Sequence, residues 1–201
     1  MEVEELLVSV DARAESYKLL SDCYYLPDEP LIERLGNIDA CAGWPCSEIA
    51  RLAPQVSDLK ALIVDFSRLF IGPFKLLAPA YGSVYLEEQH TVMGNSTIDA
   101  EKRYLQEGLK ISRKEIPDHI AIELEFMHFL AFKQNQSIRS SDPEATSVYL
   151  KKQKSFLKDH LGLWLPGFND RVRKASKTLF YKELAKVTQL FVEQDLKNLS
   201  K

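Results

Sequence analysis

The residues of this chain that could do chemistry are concentrated in one segment, Glu115–Met127, which reads EIPDHIAIELEFM. His119 and Glu123 are four residues apart, so on a helix they would share one turn and could bind a metal ion together. Because a helix advances about 100° per residue, His128 lies about 180° from His119 and cannot join the pair. No HExxH or similar motif supplies further ligands. The sequence therefore favours no metal, with Asp118 and His119 as a polar helix cap and Glu123 on an exposed helix edge.

The cysteines indicate no metal or redox site either. Cys41 and Cys46 are spaced C-x4-C, but Cys23 belongs to a different predicted helix. A zinc or iron–sulfur site needs further ligands at short spacing. An odd, low number of cysteines without a secretory signal is typical of reduced thiols in the cytoplasm.

Motifs of nucleotide-dependent and hydrolytic enzymes are missing from the sequence. It contains no G-x-G-x-x-G and no Walker phosphate loop. Ser83 follows a glycine but lacks the second glycine of a nucleophile elbow. Glu87 and Glu88 are adjacent, and we interpret them as solvated carboxylates. With no triad and no paired acid and base, the sequence predicts a protein that is not an enzyme and uses no cofactor.

Helices must position these residues, because helical periodicity dominates the sequence and strand signals are scarce. The start and stop signals predict helices over Asp11–Leu26, Asp28–Leu35, Ser57–Gly72, Asn95–Gly108 and Asp118–Gln136, with one short helix after Ser47. A capping box at Ser141-Asp-Pro-Glu144 opens a further helix to Leu161, and Pro166 is expected to break the chain before one or two helices that reach Leu199. These elements predict a single all-α domain, residues 1–201, of about eight helices.

The longest stretch without a regular pattern is residues 72–96. A loop of this length in a compact domain is usually functional or disordered. This one is too apolar for disorder, since it carries Phe74, Leu76, Leu77, Tyr81, Val84 and Tyr85. We therefore expect an ordered loop whose surface holds a ligand.

A peptide groove is the site that these residues favour. Its floor would be apolar and would include Phe66, Leu69, Phe70, Tyr81 and Tyr85. Its rim would carry the carboxylates of Glu87, Glu88, Asp118 and Glu123. Such a groove suits a peptide with an apolar helical stretch beside positive charge. The alternative that stays open is that the aromatic residues simply fill the core beneath the loop.

Composition and charge limit the partners. With a net charge of −3, no overall field favours nucleic acid or a membrane surface. The sequence has no run of eighteen apolar residues and begins with the acidic MEVEELL, so we expect a cytoplasmic protein with no membrane span or signal peptide. Basic residues between Lys151 and Lys177 leave open a second function, that of a helical regulator binding nucleic acid. Acidic neighbours dilute that surface, so a solvated helix face is the preferred interpretation.

Several of these segments together resemble the TorD/DmsD/NarJ family of redox-enzyme maturation chaperones. The resembling motifs are RLFIGP (68–73), APAYGSVY (78–85), Met93-Gly94 with Ser96-Thr97, Tyr104 with Gly108-Leu109, PDHI (117–120) and ELEFM (123–127). A later set fits the C-terminal half of the family and consists of Phe156-Leu157, His160-Leu161, Trp164, Pro166, Phe168 and Phe180-Tyr181. The resemblance covers Asp65 to Tyr181 in the family's order.

The resemblance implies an all-helical, cytoplasmic, non-catalytic chaperone that is a monomer or a domain-swapped dimer. Its partner would be the precursor of a molybdenum-cofactor enzyme, bound through its twin-arginine signal peptide, its apoenzyme or both until the cofactor is inserted. The candidate peptide-binding residues carried over by position are Phe66, Leu69, Phe70, Tyr81, Ser83, Asp118 and His119, joined by Pro79, Tyr85, Pro117 and Glu123 from the same segments.

Overall fold

The computed structural model describes residues 3–38, 45–51, 58–72, 76–88, 90–112 and 115–200. Ten α-helices follow one another in these ranges: α1 Val3–Cys23, α2 Glu29–Gly36, α3 Cys46–Ala50, α4 Leu59–Phe66, α5 Ser83–Leu86, α6 Asn95–Gln106, α7 Ile120–Arg139, α8 Pro143–Asp159, α9 Leu161–Ala175 and α10 Leu179–Asn198. The described residues contain no strand beyond one isolated antiparallel bridge between Tyr81 and His119. The predicted all-α class is confirmed, with two short helices, α3 and α5, in regions that carry little periodicity.

The central element is α7, which packs against α1 and α8 and also contacts α9. Its residues Ile120, Leu124, Met127 and Ala131 are completely buried. They are spaced by three and four residues, so one face of α7 forms the middle of the core. The sequence of this helix is apolar on two sides, which is typical of a central, buried helix, and the structure places α7 there.

A polar cluster joins four helices at one end of the core. Arg13 of α1 donates to Asp195 of α10 at 3.1 Å, to Gln134 of α7 at 2.7 Å and to Gln153 of α8 at 2.5 Å. Tyr17 donates its hydroxyl to the same Asp195 at 2.7 Å. Because hydrogen bonds pair these buried polar groups, they offset the cost of desolvating them, and the cluster fixes the helices against one another.

The helix that precedes the long loop begins one residue later than expected. Asp58 caps α4 by accepting a hydrogen bond from the backbone N–H of Ala61 at 2.9 Å, whereas the predicted cap, Ser57, lies outside the described residues. A π-helical turn, Ser67–Ile71, continues α4 to Gly72, which has a positive φ of 45°. Glycine tolerates this conformation, so the predicted end of the helix at Gly72 is confirmed.

The predicted break at Pro166 is wrong, because Pro166 lies inside α9. The chain turns earlier, at His160, where φ is −126° and ψ is −101°. Trp164 and Phe168 flank Pro166 and are buried, and their burial stabilises the helix by more than the one backbone hydrogen bond that proline removes. The cap of α8 also shifts by one residue, since Asp142 rather than Ser141 accepts from the backbone of the first turn.

Candidate peptide-binding groove

The segment from Ala78 to Leu86 crosses the N-terminus of α7 and is held there by backbone and side-chain hydrogen bonds. Gly82 N–H donates to the carbonyl of Asp118 at 2.9 Å, and Ile120 N–H donates to the carbonyl of Ala80 at 2.9 Å. The Asp118 carboxylate accepts from Ser83 N–H at 2.6 Å. These bonds explain why a long loop without periodicity is ordered at this point.

Asp118 and Ser83 are completely buried, so they hold the loop and the start of α7 together beneath the surface of the site. The expected position of Asp118 on the groove rim is therefore wrong. A carboxylate without water pairs with backbone donors where it can, and Asp118 uses the N–H of Ser83 in this way. Its sequence neighbour Pro117 is also buried and accepts the Tyr104 hydroxyl at 2.9 Å through its carbonyl.

His119 caps α7, as its position before the helix predicts. Its Nδ1 accepts a hydrogen bond from the N–H of Ala121 at 3.2 Å. Burial lowers the pKa of His119 to about 4, although the charge of Asp118 acts in the opposite direction. The imidazole is therefore neutral at neutral pH. Its ring lies 5.3 Å from the ring of Tyr81 and 6.3 Å from that of Tyr25, measured between centroids.

Two adjoining cavities form an open groove beside this turn. The first, which we call the tyrosine cavity, has a volume of about 270 Å³ and is lined by Tyr24, Tyr25, Leu26, Phe66, Tyr81, Glu115, Ile116, His119 and Ile122. The second, the phenylalanine cavity, has a volume of about 350 Å³ and is lined by Tyr104, Leu109, Lys110, Ile111, Ser112, Glu115, Ile122, Glu125, Phe126, His128 and Phe129. Glu115 and Ile122 line both, so the two cavities are direct neighbours, and together we call them the α7 groove.

Three of the predicted site residues, Phe66, Tyr81 and His119, line the α7 groove. Leu69 and Phe70 are buried in the core, where the Phe70 ring lies 5.9 Å from Phe168. For these two residues the core-filling alternative is the correct one. Pro79 is buried and accepts the Tyr85 hydroxyl at 2.9 Å.

Tyr85 lies on a different side of the loop. Its ring stacks on Trp164 at 5.6 Å, and the guanidinium of Arg171 lies 5.0 Å from its centroid. Of the remaining expected rim carboxylates, Glu87 accepts from the N–H of Ser96 at 2.8 Å, and Glu88 is exposed. Neither lines the α7 groove.

Glu123 is also completely buried, and its expected positions on an exposed helix edge and on the rim are both wrong. Its Oε2 accepts the indole N–H of Trp164 at 2.8 Å, and its Oε1 lies 3.8 Å from Nδ1 of His160. Burial raises the pKa of Glu123 well above its usual value of 4.5. His160 points its Nε2 at Asp99, 2.7 Å away. Glu123 thus supports the base of the site by joining α7 to α9.

Sequence reasoning missed several groove residues, of which Tyr25, Glu115, Ile122 and Phe129 matter most. Ile122, Phe126 and Phe129 recur at helical spacing on α7. Ile122 and Phe126 are buried in the core and Phe129 is only partly buried, so the pattern alone does not distinguish a binding face from a buried one. The local sequence pattern does not identify Tyr25 as a binding residue, because it indicates only that the first helix ends there. The fold brings it to His119 from about a hundred residues earlier.

Three carboxylates lie near Tyr25 at the mouth of the tyrosine cavity, whereas Lys110 lines the phenylalanine cavity. Burial raises the pKa of Tyr25, and the charges of Glu125, Glu115 and Asp22 raise it further. Lys18 lies between two of these carboxylates, 2.9 Å from Asp22 and 3.1 Å from Glu125.

Within the part of the chain that the structure describes, His, Cys, Asp and Glu side chains do not come together in groups of three that could hold a metal ion. Over the same residues, none of the helices combines the length and apolar character needed to cross a membrane.

Comparison with known proteins gives a consistent family. The family model described as nitrate reductase delta subunit matches residues 33–170. The perchlorate reductase assembly chaperone of Dechloromonas aromatica is 30% identical over 155 residues, which cover 74% of this chain and 67% of that protein. The chaperone TorD of Vibrio cholerae (strain ATCC 39541) is 31% identical over 136 residues, covering 67% of this chain and 60% of TorD.

Two longer matches extend the comparison. The Tat proofreading chaperone DmsD of Salmonella typhi is 29% identical over 182 residues, covering 85% of this chain and 82% of DmsD. A crystal structure from Archaeoglobus fulgidus, assigned as a redox enzyme maturation protein, superposes with a TM-score of 0.61 and is 28% identical, covering 90% of this chain and 93% of that one.

Proposed function

Because this chain belongs to the nitrate reductase delta subunit family, also called the TorD/NarJ family, we propose that it is a chaperone for the precursor of a molybdenum-cofactor enzyme. It holds the precursor, assists cofactor insertion and delays export until maturation is complete. The relatives named for this task, which are chaperones of redox enzymes, support the proposal. In this role the protein is a binding partner in the cytoplasm, with no reaction of its own, and residues 1–201 act as one domain.

The observation that carries the proposal is the α7 groove. It is an open, mainly apolar channel lined by α7 and by residues of the segments that precede it in the chain. Hydrogen bonds to Asp118 hold the segment that carries Tyr81 in place. The partly exposed aromatic residues of the groove, Tyr25, Tyr81 and Phe129, suit a partner that brings its own apolar segment to cover them. An amphipathic helix laid in a groove buries that segment, and the burial supplies affinity.

The partner segment we propose is the twin-arginine signal peptide of the client. Its apolar stretch would lie in the phenylalanine cavity, against the partly exposed ring of Phe129 and the edges of the more deeply buried Ile122 and Phe126. The name of the DmsD relative, a Tat proofreading chaperone, supports this choice. The nucleic-acid alternative gains no support, since the relatives are redox-enzyme chaperones and basic residues such as Lys152 and Lys174 pair with Glu107 and Asp170.

A matched pair of phenylalanines on α7 tests the groove. Phe129 is half-buried and lines the phenylalanine cavity, whereas Phe132, one turn further on, is 47% exposed and lies outside it. We expect Phe129→Ala to weaken binding of a twin-arginine signal peptide about tenfold, because an apolar contact of this size contributes about 1.5–3 kcal/mol when it is fully buried. Phe132→Ala should change the Kd less than about twofold.

Calorimetric titration of both variants measures these effects, with circular dichroism as the check on folding. Equal losses of affinity in the two variants would place the peptide elsewhere. Unchanged affinity in Phe129→Ala, with the wild-type protein binding normally, would remove the phenylalanine cavity from the site.

A further inference from the structure

The tyrosine cavity is not built like the apolar cavity beside it. Aromatic rings form most of its wall, namely those of Tyr24, Tyr25, Phe66, Tyr81 and His119, and a single carboxylate, Glu115, stands at its mouth. We infer that this cavity binds the guanidinium of an arginine in the client peptide, while the apolar residues of the same peptide occupy the phenylalanine cavity. The inference rests on the proposed function and adds to it the position of the positive charge.

The arrangement of the rings suits a flat cation. The Tyr25 and His119 rings are close to parallel, with an interplanar angle of 25°, whereas Tyr81 meets His119 edge-on at 65°. A planar guanidinium stacks on aromatic faces and is more weakly hydrated than an ammonium group, so it loses less on entering such a cavity. An aliphatic side chain would gain no electrostatic attraction from these rings.

The neutrality of His119 matters for the same reason. A protonated imidazole in the wall would repel a guanidinium at close range. The ring is partly buried, its Nδ1 accepts a backbone hydrogen bond, and desolvation lowers its pKa to about 4. At neutral pH the wall therefore presents an uncharged ring to the cation.

The carboxylates at the mouth supply complementary charge. Glu115 is exposed and lines the cavity directly. The charges of Glu125, Glu115 and Asp22 are felt at the Tyr25 hydroxyl, where they add to burial in raising the pKa. Lys18 bridges Asp22 and Glu125, and Arg34 also pairs with Asp22, so these two carboxylates are partly neutralised within the protein. Glu115 is therefore the group we assign to the incoming cation.

The shared wall between the cavities gives the peptide its register. Because Glu115 and Ile122 line both, an arginine in the tyrosine cavity leaves the next part of the peptide at the entrance of the phenylalanine cavity. Ile111, Phe126 and Phe129 then contact the apolar stretch. A ligand with positive charge directly beside an apolar helix fits this order, and one with a charge in the middle of its apolar stretch does not.

A double-mutant cycle tests the assignment with the full-length protein. The probe is a synthetic twin-arginine signal peptide and its analogue with citrulline, a neutral side chain of the same shape, in place of each arginine. We expect citrulline to weaken binding to the wild-type protein about five- to thirty-fold, the range of a desolvated cation–aromatic contact with a carboxylate. The penalty should fall below about threefold in Glu115→Gln and in Tyr81→Leu, because either variant removes part of what the cation contacts.

Two controls separate binding from folding. Tyr81→Phe keeps the ring and should therefore keep the citrulline penalty. If the hydroxyl rather than the ring were needed, Tyr81→Phe and Tyr81→Leu would lose the penalty alike. Glu101→Gln changes an exposed carboxylate of α6 outside the groove and should leave both peptides unaffected. Glu115 is exposed, so its variant reports on the cation even if Tyr81→Leu folds poorly.

The outcomes are distinct. If the wild-type protein binds both peptides equally well, the proposed function stands and the arginine site is overturned. If the citrulline penalty is present and persists unchanged in Glu115→Gln and Tyr81→Leu, the arginine binds elsewhere and the inference is wrong. If no signal peptide binds at all, the proposed peptide function fails and the arginine site fails with it.

Discussion

Replacement of Asp65 by alanine is expected to lower the free energy of unfolding by about 3–5 kcal/mol, the range for removing one partner of a buried ionic network. Asp65 is 2% exposed and lies near the end of α4. Its Oδ2 accepts hydrogen bonds at the junction of α9 and α10 from Ser176 Oγ, Lys177 N, Thr178 N and Thr178 Oγ1, at distances of 2.9, 3.0, 2.7 and 2.8 Å. Its Oδ1 accepts from Arg68 at 2.6 Å. Alanine removes the acceptor that these donors share, and the backbone N–H groups of Lys177 and Thr178 lose their partner in a part-buried position.

The contribution of the Asp65 carboxylate to the free energy of unfolding should also depend on pH. Burial alone would raise the pKa of Asp65, but the hydrogen bonds from Thr178, Arg68 and Ser176 outweigh it and hold the pKa below its usual value of 3.8. The ionised form is therefore favoured in the folded state. Its stabilising contribution is present in full above the unfolded pKa and is lost as the pH falls through the lower folded value.

Urea unfolding of the wild type, Asp65→Ala and Asp65→Asn measures this prediction. The asparagine variant keeps the shape and one oxygen acceptor, so its loss should be smaller than that of alanine at neutral pH. A loss below about 1 kcal/mol for Asp65→Ala would contradict the role of this carboxylate as the cap of the α9–α10 junction.

The second large effect is expected at Glu123. Glu123→Ala should lower the free energy of unfolding by about 3 kcal/mol, because it leaves a cavity in the core and strands the buried indole N–H of Trp164. Glu123→Gln should stay within about 1 kcal/mol of the wild type at pH 5, since an amide has the shape of a protonated carboxyl and its oxygen can accept the same hydrogen bond.

The difference in the free energy of unfolding between Glu123→Gln and the wild type should then change with pH. Burial raises the pKa of Glu123 above its usual value of 4.5 in the folded state. Between the unfolded pKa and the raised folded pKa, the folded protein therefore binds more protons than the unfolded chain. The wild type consequently loses stability from this group as the pH rises above 4.5, and Glu123→Gln does not. We expect the free energy of unfolding of Glu123→Gln, measured by chemical unfolding, to rise relative to that of the wild type from pH 5 to pH 8. Parallel pH profiles for the two proteins would show that Glu123 is ionised in the folded state.

The helices could largely be predicted from the sequence, because their signals are local. Asp28 caps α2 with Pro30 in its first turn, and Gly72 ends the α4 extension, as the chain itself indicates. Pro166 misled the prediction because its local signal is weaker than the burial of Trp164 and Phe168 on either side. Local propensity sets an element only where tertiary packing does not override it.

The candidate site was harder to predict because its parts meet only through tertiary contacts. The pattern identified an ordered loop next to the start of α7, and Phe66, Tyr81 and His119 do converge there. It could not show that Asp118 and Glu123 are buried, since their partners Ser83 and Trp164 come from other segments. A charged residue at the start of a helix is usually exposed, and only the folded structure shows which hydrogen-bond donors lie close enough to pair with it when it is buried.

Calorimetric titration of the folded protein with a twin-arginine signal peptide from a molybdoenzyme of the same organism tests the central claim most directly. The matched control is the same peptide with aspartates placed in its apolar stretch. The account predicts a Kd of about 10 μM or tighter for the first peptide and no measurable binding for the control, because affinity comes from burial in the α7 groove. Equal binding of both peptides, or no binding of any signal peptide to protein that is folded by circular dichroism, would contradict it.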